Sequence, residues 1–184
     1  MKNKIMIIGC GGIGSFLISL LDRVDMYDIT VFDPDIVETK NLTYQNFHSD
    51  EVGMNKAEAL AVSYNFKPQP YKVLTPEQIS GYDLVICCAD NLDVRKMMYK
   101  SEITWLDLRA QGRAGLLVSS DEDPKLYSTL TAGPEGSFSC QGDAWDKSNQ
   151  GVHFTHVAVA GYGAQWVQRH FAGDYTPKHI QVSA

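Results

Sequence analysis

Ile5-Met6-Ile7-Ile8-Gly9-Cys10-Gly11-Gly12-Ile13-Gly14-Ser15 is the stretch on which the fold turns. Four apolar residues predict a buried strand. The glycines that follow predict a tight turn. Apolar residues at Ile13, Phe16, Leu17, Leu20, Leu21 and Val24 then predict an amphipathic helix. Gly9 permits the turn, Gly11 lets a phosphate approach the backbone, and Gly14 allows helix and strand to pack closely. The helix N-terminus offers unpaired N–H groups and a positive dipole end to an anion. By itself this pattern says nucleotide, without saying which.

Working outward, Ile29 to Phe32 reads as a second strand ending at Asp33, and Pro34 to Gly53 as loop or short helix. Asn55 to Tyr64 reads as a helix capped by Asn55, Gln69 to Leu74 as a third strand, and Thr75-Pro76 as the start of a short helix reaching Ile79. Asp83 to Ala89 is nearly all apolar, as a central strand of a parallel sheet would be. A helix over Asp90 to Tyr99 and a strand over Ile103 to Arg109 follow. Strands alternating with helices imply a Rossmann-like, doubly wound, mostly parallel sheet in a three-layer α/β/α arrangement. Ala114 to Ser120 and Leu126 to Leu130, around Asp121 to Lys125, predict an antiparallel hairpin that extends it. Thr131 to Gln150 reads as a loop, His153 to Phe171 as a long helix weakened by Gly161 and Gly163, and the end as a tail with room for a short strand. Residues 1–184 are expected to form one nucleotide-binding domain, with 1–110 the parallel part and 111–184 hairpin, loop and C-terminal helix.

Composition narrows the partners. The net charge is −6, with 16 basic and 22 acidic residues and no basic stripe, which argues against a nucleic-acid surface. No apolar run approaches the roughly 20 residues of a membrane-spanning helix. The four cysteines, Cys10, Cys87, Cys88 and Cys140, form neither a disulfide framework nor a paired C-x-x-C zinc site, so no zinc is expected. A reducing cytoplasm is the expected location.

Asp33 lies about 20 residues beyond the turn, where an acid bonds a ribose hydroxyl. Further on come Asp33-Pro34-Asp35-Ile36-Val37, Asn41-Leu42-Thr43-Tyr44-Gln45, Val52-Gly53-Met54-Asn55-Lys56-Ala57 and Cys88-Ala89-Asp90-Asn91 with Arg95 after it. In these five ordered motifs, over residues 5 to 118, the chain resembles the ubiquitin-activating-enzyme superfamily, including the adenylyltransferases ThiF, MoeB and HesA. That family's pattern is glycine turn, D-x-D-x-V, N-L-x-R-Q, V-G-x-x-K-A, and D-N with a following arginine.

The resemblance implies an ATP-dependent adenylyltransferase acting on the C-terminal carboxylate of a small ubiquitin-like or sulfur-carrier protein, or of a peptide. It implies that Gly9, Gly11, Gly12 and Gly14 with Asp33 and Asp35 hold the ribose and phosphates of ATP. Asn41, Tyr44, Gln45 and Lys56 stand where phosphate contacts are made. Asp90, with Asn91 beside it, would hold Mg²⁺, and Lys56 and Asp90 would be the catalytic pair. It also implies a homodimer, with Trp166 and Phe171 on the last helix as core or dimer surface. Taken without the family, Lys56 reads as an ordinary solvated helix lysine, and Asp90 suits a helix cap.

The departures are specific. Tyr44 stands where the family has arginine, and tyrosine carries no charge to a phosphate. The arginine that the family's N-terminal segment donates across its dimer is expected to be missing as well, because the chain starts at its first strand. Arg109 and Arg113 are the candidates to compensate. Cys140, in a glycine-rich loop, reads either as a thioester-forming nucleophile or as a spectator. His153 and His156 read as ordinary histidines rather than metal ligands. Two rival functions stay open: a catalytically inactive relative that binds nucleotide or a partner, and an NAD-dependent oxidoreductase.

Overall fold

The computed structural model describes residues 1–130, 141 and 151–183. The strands are β1 (Asn3–Ile8), β2 (Tyr27–Phe32), β3 (Lys67–Gln69), β4 (Leu84–Cys87), β5 (Trp105–Gln111), β6 (Ala114–Ser119) and β7 (His179–Ser183). They form one sheet in the order β3-β2-β1-β4-β5-β6-β7. The first five strands run parallel; β6 is antiparallel to both β5 and β7. The helices are α1 (Gly12–Leu21), α2 (Lys56–Ala61), α3 (Pro76–Ile79), α4 (Leu92–Tyr99), α5 (Pro124–Leu130) and α6 (Thr155–Ala172).

The sheet is the middle of three layers. Ile5 and Ile7 of β1 face a core shared with α1, α2 and α6, whereas Met6 and Ile8 face a second core with α3 and α4. β4, with Leu84, Val85, Ile86 and Cys87 all buried, is covered on both faces, as its apolar run predicts. α6 lies close against β5 and β6 because Gly163 and Gly115 leave room. A Cβ on Gly163 would stand 2.8 Å from Leu108, and one on Gly115 would stand 2.5 Å from Val159. The expected Asn55 and Thr75 caps are both present.

Three local expectations are corrected. The third strand ends at Gln69 instead of beginning there; the Tyr71 N–H turns back onto the Gln69 carbonyl at 2.8 Å. Pro68 is accommodated because β3 is an edge strand. The hairpin is β5–β6, turning at Gly112, whose φ of 56° suits glycine. Leu126 to Leu130 belongs to α5. Asp123 accepts from the Lys125 N–H at 2.8 Å and Pro124 opens the helix, so Asp-Pro starts a helix here and not a hairpin turn. In α1 the buried stripe includes Ile18, while Leu20 is exposed.

Candidate functional site

The glycine turn joins β1 to α1 at the carboxyl edge of the sheet. The strand order reverses between β1 and β4, which makes their ends the crevice where open α/β sheets take ligands. Gly9 has φ 89°, and a Cβ there would lie 2.9 Å from the Ala89 nitrogen, just past β4. A Cβ on Gly14 would lie 2.0 Å from the Gly9 carbonyl oxygen. Both glycines are therefore required, one by conformation and contact, the other by contact alone. Gly11 is the N-cap of α1, Gly12 its first residue, and no side chain caps the helix. Its first N–H groups face the crevice uncapped by side chains.

Asp33 is buried at the end of β2. One carboxylate oxygen accepts from the Cys10 N–H at 2.8 Å and the other from the Asp35 N–H at 2.9 Å. It staples the turn to the next strand. Burial pushes its carboxyl pKa up, against the pull of those two N–H donors and of Lys56. Asn55 locks the following segment: its Nδ2 donates to the carbonyls of Asp33 and Asp35, and its Oδ1 caps α2 through the N–H groups of Ala57 and Glu58. Lys56 is only 8% exposed, so it is not a solvated helix lysine; its Nζ lies 3.3 Å from the Asp35 carboxylate.

Asn41 and Gln45 are buried on the short 3₁₀ segment Thr39–Thr43 and just after it. The Asn41 side chain accepts from the Glu38 N–H at 2.8 Å. The Gln45 amide nitrogen lies 3.7 Å from where a Gly11 Cβ would be, and its Oε1 is buried with no hydrogen-bond partner among the described residues. Tyr44 is buried too, its ring edge-on to His156 of α6 at 6.3 Å between centroids. Position 44 thus packs against α6, a contact that no local pattern around it foretells.

Asp90 is exposed just beyond β4. The helix cap falls to Asn91, whose Oδ1 accepts from the N–H groups of Asp93 and Val94. The edge has a further acidic neighbour that none of the sequence motifs names. Asp107, fully buried in β5, holds the Arg95 Nε at 3.0 Å, the Arg109 Nε at 2.7 Å and the Tyr99 hydroxyl at 2.6 Å. An aspartate inside Trp105-Leu106-Asp107-Leu108 was the available signal, since a carboxylate buried in an apolar strand requires charged or hydrogen-bonding partners.

Burial raises the thiol pKa of Cys10 and Cys88 well above the ordinary value and that of Cys87 to about 11, so all three are thiols at neutral pH. Cys140 lies outside the described residues. Trp166 is in the core, donating its indole N–H to the Pro177 carbonyl at 2.9 Å, and Phe171 packs on Tyr27. Trp166 is therefore core and not dimer surface. His156 is buried among Phe16, Tyr44 and Phe154. Among the described residues no group of three or more His, Cys, Asp or Glu is placed to hold a metal ion, and no helix is long and apolar enough to cross a membrane.

Known proteins match this arrangement. Residues 1–164 match the ThiF family. The chain is 28% identical over 162 residues to the adenylyltransferase and sulfurtransferase UBA4 of Candida albicans, covering 76% of this chain and 37% of that one. It is 28% identical over 109 residues to the SAMP-activating enzyme E1 of Haloferax volcanii, covering 53% and 40%. It is 28% identical over 116 residues to the ubiquitin-like modifier-activating enzyme 5 of Aedes aegypti, covering 51% and 29%. The chain thus spans less than half the length of each of these relatives. Among solved structures, E. coli MccB with ATP superposes with a TM-score of 0.72 at 17% identity, covering 99% of this chain and 60% of that one. PaaA gives 0.71 at 17% identity, covering 98% and 60%. The glycine turn braced by Asp33, the buried Lys56 and the family match agree: this chain belongs to the ThiF family.

Proposed function

We propose that this chain is an ATP-dependent adenylyltransferase that activates the C-terminal carboxylate of a small ubiquitin-like or sulfur-carrier protein, or of a peptide. The observation that carries the reading is the burial of Lys56 beside Asp35, on the same edge as Asp33 and the uncapped start of α1. A nicotinamide cofactor gives no reason for a buried lysine there. The names of the relatives, which are adenylyltransferases and activating enzymes of ubiquitin-like proteins, point the same way.

In this reaction a carboxylate oxygen bonds to the α-phosphorus of ATP. The bond from that phosphorus to the bridging oxygen breaks, and pyrophosphate leaves with the electron pair. Two anions must meet, so the site has to position them and offset their repulsion. Asp33 and Asp35 would take the ribose side; the Asp33 oxygens, each already accepting one N–H, retain lone pairs for ribose hydroxyls. Lys56, Asn41, Gln45 and the N–H groups at Gly11 and Gly12 would face the phosphates. Asp90, with Asn91 capping the helix behind it, is the carboxylate that would hold Mg²⁺. A single exposed carboxylate suits that ion, which keeps waters and shares its shell with phosphate oxygens. Mg²⁺ would supply charge neutralisation. In a later step the Cys140 thiol would lose its proton and bond to the acyl carbon of the adenylate, the carbon–oxygen bond to phosphate would break, and AMP would leave. The working form would be a cytoplasmic homodimer.

One observation favours a second reading, a nucleotide-binding relative without catalysis: Tyr44 is turned into the packing against α6 and brings no charge to the edge. Calorimetric titration with ATP, with and without Mg²⁺, tests the nucleotide site. ATP affinity is expected to depend on Mg²⁺ in the wild type and to lose that dependence in Asp90→Ala. Absence of ATP binding at millimolar nucleotide overturns both readings. ATP–pyrophosphate exchange in the presence of an acceptor protein separates them.

A further inference from the structure

The five parallel strands do not end level. β1 and β4 stop together, Ile8 beside Cys87, and Cys87 is beside Asp107 of β5. β5 then runs on to Gln111, paired only with β6. Its last four residues make a wall about 13 Å high along one side of the crevice. Arg109 stands on that wall, two residues past Asp107, the last residue of β5 in register with β4.

Arg109 is held in a fixed attitude. Its Nε and Nη2 lie 2.7 and 2.6 Å from one Asp107 oxygen, and Nη2 donates to the Tyr99 hydroxyl at 2.5 Å. Tyr99 in turn donates to Asp107; burial, then the Asp107 charge, push its pKa far above the ordinary value, so it stays a neutral donor. Arg95 takes the other Asp107 oxygen from inside the core. One carboxylate is thereby shared between two guanidiniums. Of the two, Arg95 is enclosed, while the Arg109 side chain keeps 20% of its surface exposed. A guanidinium oriented in advance binds a phosphate or carboxylate with little further ordering cost.

We infer that Arg109 is an oxyanion-binding residue of this edge, its ligand being either the nucleotide's phosphates or the carboxylate brought to them. The inference rests on the adenylation reading for the identity of those anions. It assigns to β5 the positive charge that position 44 does not bring, and it prefers Arg109 to Arg113, which is exposed in the β5–β6 turn.

Calorimetry on Arg109→Gln, with Arg113→Gln as control, tests it. The titrants are inorganic pyrophosphate, ATP with Mg²⁺, and, in the presence of ATP, a short peptide ending in Gly-Gly as free acid or as amide. Loss of a charge-assisted bond should weaken at least one oxyanion by about tenfold to a hundredfold in Arg109→Gln, with Arg113→Gln at wild-type affinity. Weaker pyrophosphate and ATP assign the phosphates. Loss only of the preference for free acid over amide assigns the carboxylate. A folded Arg109→Gln with wild-type affinity in every arm overturns the inference, leaving Arg109 as a brace for Asp107. Should wild type bind pyrophosphate through Arg109 but not ATP, the adenylation reading fails and the inference stands. If Arg109→Gln does not fold, phenylglyoxal modification of wild type, read by peptide mass spectrometry, replaces it. Protection of Arg109 by one of these anions, with Arg113 unprotected, upholds the inference; no protection overturns it.

Discussion

Asp33 and Asp107 are both buried aspartates near the carboxyl edge of the same sheet, and opposite means satisfy them. Asp33 is bonded by two backbone N–H groups, from Cys10 and Asp35. Asp107 is bonded by three side chains, from Arg95, Tyr99 and Arg109. The first arrangement survives substitution of almost any side chain around it, provided the glycine turn keeps its path. The second depends on the identity of each partner. The turn at β1 and β2 is thus a property of backbone shape, and the wall at β5 a property of side-chain chemistry. If this contrast is right, the two ends should fail in different ways.

The largest effect is expected at Asp107. Asp107→Ala removes the one carboxylate shared by two guanidiniums, and Arg95 is left inside the core with its charge uncompensated. Breaking a buried pair in this way costs on the order of 3–5 kcal/mol. Urea denaturation should show a correspondingly lower midpoint. A cost under about 1 kcal/mol, the range of exposed ion pairs, would mean that the guanidiniums relax to solvent and that Asp107 organises nothing.

At the other end the sensitive atoms are not those of Asp33 but those that shape its donors. Gly14→Ala would place a methyl group 2.0 Å from the Gly9 carbonyl oxygen, so α1 must move off β1. Overpacking of this kind costs about 1–3 kcal/mol. Because the Cys10 N–H moves with the turn, the same variant should weaken ATP binding. Gly11→Ala is the contrast: the nearest atom to its Cβ is 3.7 Å away, so stability should stay near wild type. Equal losses in the two variants would show that the turn tolerates displacement and that backbone shape is not what holds Asp33.

The same contrast explains what was legible in the sequence. The glycine turn, Asp33, the Asn55 cap and the all-apolar β4 follow from local rules of backbone conformation, and each lies where those rules put it. The Asp107 cluster joins residues of α4 and β5 that approach only once the sheet has formed, so no local pattern could name its members. Tyr44 is the same kind of case. Its sequence neighbours invite a phosphate role, but its burial is decided by His156, 112 positions later. The hairpin lies at β5–β6 and not around Asp121 to Lys125 because Asp-Pro serves both turns and helix starts, and tertiary pairing selects the second.

His156 gives the smallest and most selective prediction, for it lies behind position 44, between the two ends. Its ring is buried, and burial lowers the imidazole pKa, outweighing the nearby carbonyls of Tyr44 and His153. Its Nε2 has no hydrogen-bond partner among the described residues. The folded protein therefore keeps His156 neutral at a pH where the unfolded chain takes up a proton. The stability this protects is whole above the ordinary histidine pKa of about 6.5 and falls as pH drops below it. His156→Phe keeps an aromatic ring against Phe16 and Tyr44 and removes the titration. Unfolding free energies from urea denaturation between pH 5 and 7.5 should then fall less steeply with falling pH in the variant, by at most about 1.4 kcal/mol per pH unit for one proton. His170, whose pKa burial also lowers, supplies a residual slope of the same sign. An unchanged slope would mean that His156 takes up its proton in the folded state as readily as in the unfolded one. The packing behind Tyr44 would then be open to water, and position 44 would belong with the crevice and not with the core.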